Sequence, residues 1–345
     1  MSVTKYSALS AKIHAMRARL LTRMDYERLA SKDTLAQMLE ELMKHAAFEK
    51  ALANAFSTRI ARDSAERLLN LAVYGDYERI YSFLDADDKK TMSVFFRKIE
   101  LTFIKTIFKT FLDSEAPSAD LGEFERFFDK HTELDLKKLN TCSSVDDIIR
   151  VLPERYANIL RNALPAEMTI FDIDLRLDLR YFTLLWKNTR EFGSAIYGRQ
   201  IDMLNLIWLY RTKSFFSVSA QEAFSYIIPV YYRLSKEQIA ALVNAPDKES
   251  YIYAVNTTRY AGFFDDLRSG DEIITKYWNT MYDINVKNAR YNNFSISAAL
   301  SYMFFKEVEV RNLISVIEGI HYKVGKDAIM TKITLGTKEG GRKWR

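Results

Sequence analysis

Three carboxylates recur in one sequence setting. Glu100 lies in KIELTFIKTIFK, Asp202 in QIDMLNLIWLYR and Glu309 in EVEVRNLISVIE, about 105 residues apart, a fixed period that marks a repeat architecture. A repeated acid has two chemistries open to it. It can pair with a nearby arginine or lysine and orient its own repeat, or the three can converge on a pseudo-threefold axis as a polar lining or metal cage. Pairing is the simpler reading, because the residue three further on is Asn205 and Asn312 in two copies but Phe103 in the first. That breaks a symmetric trio. A buried amide needs satisfied partners, so the asparagines are expected to specify packing at that point of the helix.

Other reactive side chains are sparse. The histidines are His14, His45, His131 and His321. Glu318 and His321 form one E-x-x-H, the spacing of di-iron bundles, but such sites need two pairs plus two further glutamates. The second pair is missing, so His321 reads as a solvated residue just past the last helix. Cys142 sits in the polar turn NTCSS with no histidine close in sequence, which leaves a thiol nucleophile without a base. There is no GxxxxGK[ST] and no GxGxxG after a strand, so direct nucleotide binding has no support. No catalytic residue, metal or cofactor is expected.

The acids need elements to carry them. Relative to each acid, positions +1, +4, +7 and +8 are apolar in every copy: Leu101, Ile104, Ile107 and Phe108; Met203, Leu206, Leu209 and Tyr210; Val310, Leu313, Val316 and Ile317. This spacing predicts one apolar helix face with the acid at its side. A weaker block also repeats, with Phe48, Tyr156 and Tyr260 at equivalent points ahead of the acids. Three helical repeats are therefore expected over 1–115, 116–220 and 221–345. Glycine numbers 11 and proline 5 in 345 residues, less than half the ~12% typical of globular proteins. So few breakers predict an all-α fold, and 48% hydrophobic residues supply its core.

Further bounds are negative. No run of about 18 apolar residues is present to span a bilayer. The opening MSVTKYSALSAKIHAMRARLL has scattered basic residues and no apolar h-region, so it reads as an amphipathic first helix and not as a signal peptide. A lone cysteine suits the cytoplasm. The net charge of +5 is spread through interleaved charges, which is a solvated surface and not a nucleic-acid footprint. Only the tail KEGGRKWR is locally basic.

From Phe171 to Lys213 the pattern becomes specific. FDIDLRLDLRYFTLLWK leads to GRQIDMLNLIWLYRTK, which contains G-x-x-I-D-x-x-N-(x5)-R-x-K. This resembles the C-type stalk component of V-type and A-type rotary ATPases (called d in the eukaryotic enzyme). The likeness rests on Phe171, Asp174, Leu177, Asp178, Tyr181, Phe182, Trp186, Gly198, Ile201, Asp202, Asn205, Arg211 and Lys213. KEVEVRNLISVIEGI resembles the family's ending through Lys306, Glu307, Glu309, Asn312, Leu313 and Gly319, and KYSALSAKIHAMRARLLTRMDYERL its first helix. Ile320 departs from a frequent lysine, and HAAF (His45 to Phe48) from a more usual threonine–x–tyrosine.

The resemblance implies three helical domains about a pseudo-threefold axis, forming a funnel on the cytoplasmic face of a membrane. One mouth would meet the rotor ring of proteolipid c/K-type subunits and the other the shaft of D- and F-type subunits, with no chemistry performed. The expected partner-facing residues are Glu100, Lys105, Lys109, Asp202, Asn205, Arg211, Lys213, Glu309, Arg311 and Asn312. The rival readings are an open solenoid adaptor unrelated to ATPases and a helical-bundle metalloenzyme.

Overall fold

The computed structural model describes residues 4–52, 62–112, 125–161, 169–215, 218–265 and 270–336, and among them there is no β-strand. The fold is all-α, as the scarcity of breakers predicts. The basic tail and the break expected near 115 lie outside the described residues. In chain order the helices are α1 (Ser7–Arg17), α2 (Arg23–Ala30), α3 (Leu35–Met43), α4 (Glu49–Leu52), α5 (Arg62–Tyr81) and α6 (Ala86–Leu112). They continue with α7 (Glu125–His131), α8 (Leu136–Asn140), α9 (Val145–Val151), α10 (Glu154–Arg161), α11 (Ile170–Thr189) and α12 (Ser194–Phe215). The last are α13 (Ala220–Ser225), α14 (Lys236–Asn244), α15 (Lys248–Asn256), α16 (Gly270–Tyr291), α17 (Ile296–His321) and α18 (Lys326–Lys332). His321 is thus the exposed last residue of α17 and not a position beyond the final helix.

The short helices start where local chemistry tells them to. Thr22, Thr169 and Ser235 each close a capping box with the residue three further on, Asp25, Asp172 and Gln238. Thr34, Asp135, Ser144, Ser219, Asp247 and Ser295 cap their helices with a side-chain oxygen. Each such cap satisfies an N–H that a helix start otherwise leaves bare, worth about 1 kcal/mol.

The chain forms two compact units, one of Met1–Asp85 with Phe263–Arg345 and one of Ala86–Gly262. In the first, α17 is the central element. It is buried on nearly every side, and α16, α5, α1, α2, α3 and α18 pack on it. A helix apolar all round must be enclosed in this way. Helix α1 buries Leu9, Ile13 and Met16, the amphipathic face expected of the opening segment. In the second unit α6 packs on α11, α11 on α10 and α12, and α12 on α15.

Two helical glycines mark close approaches. A Cβ at Gly198 would meet Cγ of Tyr232 at 2.4 Å, and one at Gly319 would meet Cγ1 of Ile329 at 2.3 Å. Alanine in place of a helical glycine normally gains up to about 1 kcal/mol. Overpacking costs about 1–3 kcal/mol, and Tyr232 is pinned by Trp186, whose ring lies 5.8 Å away. The steric term should win. Gly198→Ala is expected to destabilise by about 1–2 kcal/mol in chemical denaturation; a gain in stability would show that Tyr232 swings aside freely.

Candidate functional site

The three repeated acids are almost fully buried within their units. Glu100, on α6, accepts from the Glu133 N–H at 3.2 Å, from Nη2 of Arg155 at 3.0 and 3.1 Å, and from the Tyr156 hydroxyl. Asp202, on α12, accepts from the Tyr232 and Arg233 N–H groups at 3.2 and 2.7 Å and from the Tyr260 hydroxyl at 2.7 Å. Glu309, on α17, accepts from the Leu21 N–H at 2.7 Å and from Lys306 Nζ. In each case the backbone donor lies just ahead of a helix cap, at Asp135, Ser235 or Thr22. One buried carboxylate therefore fixes where a bundle of short helices begins, relative to a long helix.

The pairing expected for the acids is found at Glu100 with Arg155 and at Glu309 with Lys306. Asp202 differs, because backbone amides and a phenol replace the cation. The partners also differ from the expectation that each acid orients its own repeat. Glu100 reaches residues beyond 115, Asp202 residues beyond 220, and Glu309 returns to Leu21. A helix and the short helices that follow it form the joint, so the last helix needs the first segment of the chain.

The aromatic markers take part directly. Burial and the adjacent carboxylates push the hydroxyls of Tyr156 and Tyr260 above the ordinary phenol range, so they stay protonated donors. The third marker, Phe48, has no hydroxyl. There the ammonium of Lys306 lies 4.1 Å from the Phe48 ring centroid and bonds Glu309, and Tyr302 donates to the nearby Asp76. A cation held by a π-face thus replaces the missing phenol. Lys306, Arg155, Asp76 and Tyr302 were not singled out for this role from sequence. The available signal was the one marker, Phe48, that breaks the Tyr–acid rule.

The asparagines act as backbone clamps. Asn205 accepts the Ile228 N–H at 2.8 Å and donates to the Ile228 carbonyl at 3.0 Å. Asn312 does the same to Thr334, at 2.9 Å both ways. Each side chain satisfies both polar groups of one buried residue, which extended backbone away from a sheet otherwise leaves bare. At the matching position Phe103 packs on the buried Phe128 ring at 4.4 Å, an apolar contact in place of a polar one.

The other expected partner-facing residues divide. Lys105 bridges Asp178 at 2.7 Å and Asp174 at 3.8 Å. Lys213 donates to the Val243 carbonyl at 2.7 Å, and Arg311 lies over the Trp278 ring. Lys109 and Arg211 are exposed, and both stand nine residues after their acid. Glu100, Asp202, Asn205, Glu309 and Asn312 are inside. Among the described residues no cluster of His, Cys, Asp and Glu has the arrangement to hold a metal, and no helix is long and apolar enough to cross a membrane.

Two outcomes test these joints. Lys306→Met strands a buried carboxylate and should cost about 3–5 kcal/mol. Adding Phe48→Tyr should recover about 1–2 kcal/mol of that by restoring a phenol donor; a double-mutant cycle without coupling would refute the substitution of lysine for phenol. Burial raises the Asp202 carboxyl above its ordinary value, against the opposing Tyr260 hydroxyl and the two N–H groups. The native state then holds the proton more tightly than the unfolded chain. The Asp202 contribution is largest below the ordinary aspartate value and is lost as pH rises through the higher native value. Urea midpoints across that window should show this slope, and Asp202→Asn should remove it.

Comparison with known proteins agrees with the geometry. The family model "ATP synthase (C/AC39) subunit" matches residues 9–332. The C-type chain of the A-type ATP synthase of Pyrococcus abyssi is 25% identical over 328 residues, covering 90% of this chain and 85% of that protein. The namesake from Thermococcus kodakarensis is 22% identical over 328 residues, covering 91% and 86%. That of Methanocaldococcus jannaschii is 21% identical over 336 residues, covering 91% and 82%. With the match running through all the joints described above, this chain belongs to the C/AC39 family of V/A-type rotary ATPase subunits.

Proposed function

We propose that this chain is the non-catalytic central-stalk part that couples the shaft of a rotary ATPase to its membrane ring. In this reading three helical repeats, 1–115, 116–220 and 221–345, surround a pseudo-threefold axis as a funnel on the cytoplasmic face of the membrane. One mouth seats on the ring of proteolipid c/K-type subunits and the other receives the foot of the D- and F-type shaft. Rotation driven by ATP turnover passes through the socket to move ions, or runs in reverse during synthesis.

Family membership over residues 9–332 carries this reading, and the joints supply its mechanics. A part that transmits torque must not deform, and close-packed interiors compress little. The three acid-bearing helices α6, α12 and α17 are each bolted to short helices by a buried carboxylate with charge-assisted or backbone bonds. Slippage at such a joint would leave a buried charge without donors, at a cost of several kcal/mol. Adaptation to partners falls instead to exposed side chains such as Lys109 and Arg211, whose loss alters association and not folding.

Reconstitution tests the coupling. A complex lacking this chain is expected to hydrolyse ATP without driving ion transport, and adding the chain back should restore transport. Undiminished transport without it would refute the socket reading. Lys109→Glu with Arg211→Glu should weaken binding to shaft or ring about tenfold, equivalent to ~1.4 kcal/mol, while the melting temperature moves by less than about 2 °C.

A further inference from the structure

Within the second unit, α11 carries the run D-L-R-L-D-L-R from Asp174 to Arg180. Its charges separate by sign around the helix. Asp174 and Asp178, four apart, take Lys105 of α6. Arg176 and Arg180, also four apart, are offset by two residues, about 200° of helix rotation. They line a cleft of about 470 Å³ with Ile159, Leu179, Phe224 and Ile227 among its apolar walls. The Phe224 side chain is 51% exposed there. Beyond Ile159 and Arg180 a smaller recess adds Arg97.

We infer that this cleft is a docking groove for an apolar segment bearing carboxylates, supplied by another protein. The charge is what selects the occupant. Among the described residues no carboxylate lines the cleft or the recess, although the chain as a whole has 50 basic and 45 acidic residues interleaved. Arg155, in the recess, is engaged by Glu133 and Glu100, and Lys105 by its two aspartates. Arg97, Arg176 and Arg180 have no such partner among the described residues.

A guanidinium presents a planar fork that matches a carboxylate in two parallel bonds. The volume falls within the ~300–1,000 Å³ of ligand clefts, room for a few side chains of an amphipathic helix laid in a groove. Apolar walls argue against a polyanion. The inference stands apart from the coupling reading, since it needs only this unit.

The test uses the full chain and two labelled amphipathic peptides of roughly 18 residues, long enough to hold a helix. They share one leucine face and carry either glutamates or lysines on its flanks. Fluorescence anisotropy should show the glutamate peptide binding at least about tenfold tighter, a difference that shrinks with added salt. The double variant Arg176→Gln with Arg180→Gln should lose at least about tenfold of that affinity, with an unchanged melting temperature. Phe224→Ala, at an exposed position, should weaken binding independently and serves if the double variant misfolds. Equal affinity for the two peptides, no binding of the glutamate peptide, or indifference to both sets of variants overturns the inference. So does displacement of the peptide by anionic phospholipid vesicles, or a dimer in sedimentation that the arginine variants dissociate.

Discussion

A carboxylate taken out of water must be surrounded by donors, and in this protein that requirement decides where the short helices attach. A carboxylate has four lone-pair directions to satisfy, and Glu100, Asp202 and Glu309 have almost no solvent to do it. The donors they find are backbone N–H groups just ahead of helix caps, in non-helical backbone that has no ladder to supply acceptors. Two deficits cancel at one point. The result is positional, because the N–H of Leu21, Glu133 or Arg233 can meet its acid in only one register.

The remaining donor is where the three joints diverge. Arg155 with Tyr156, Tyr260 alone, and Lys306 braced on Phe48 are three solutions to one electrostatic problem. They differ in net charge, and so in what they demand of their surroundings. The Lys306 ammonium is itself buried and also lies 4.0 Å from Asp76, which draws α5 into the joint. The Asp202 site lacks an ion pair and accepts a desolvation cost that raises its carboxyl. Across the three joints the acceptor stays and the donor changes.

Buried joints and exposed polar side chains suit a part of a rotary machine. Torque transmission needs helices that do not slide, while contacts to partners need side chains that can change without unfolding the body. Arg211 and Lys109 are exposed and are proposed for the second class. Asn205 and Asn312 fall in the first, although Asn205 sits in the most recognisable stretch of the sequence. The conspicuous motif G-x-x-I-D-x-x-N is, residue by residue, a set of internal supports: Gly198 admits Tyr232, Asp202 holds its N–H, and Asn205 clamps Ile228.

The sequence by itself determined the all-α class, the three acid-bearing helices with their apolar faces, and the family. The first two rest on composition and on period-3.6 patterning, and the family on the resemblance carried by the residues from Phe171 to Lys213. It also marked Glu100, Asp202 and Glu309 as equivalent, and Phe48, Tyr156 and Tyr260 as a second equivalent set. What it did not disclose is that the two sets touch, with Glu100 and Asp202 each meeting the aromatic that follows it and Glu309 meeting the start of the chain. That pairing spans 56, 58 and, for Leu21, 288 residues, and no local pattern encodes such a distance. Only packing brings Lys306 to Phe48, or Lys105 to Asp178, because a side chain's partner is set by the helices that enclose it.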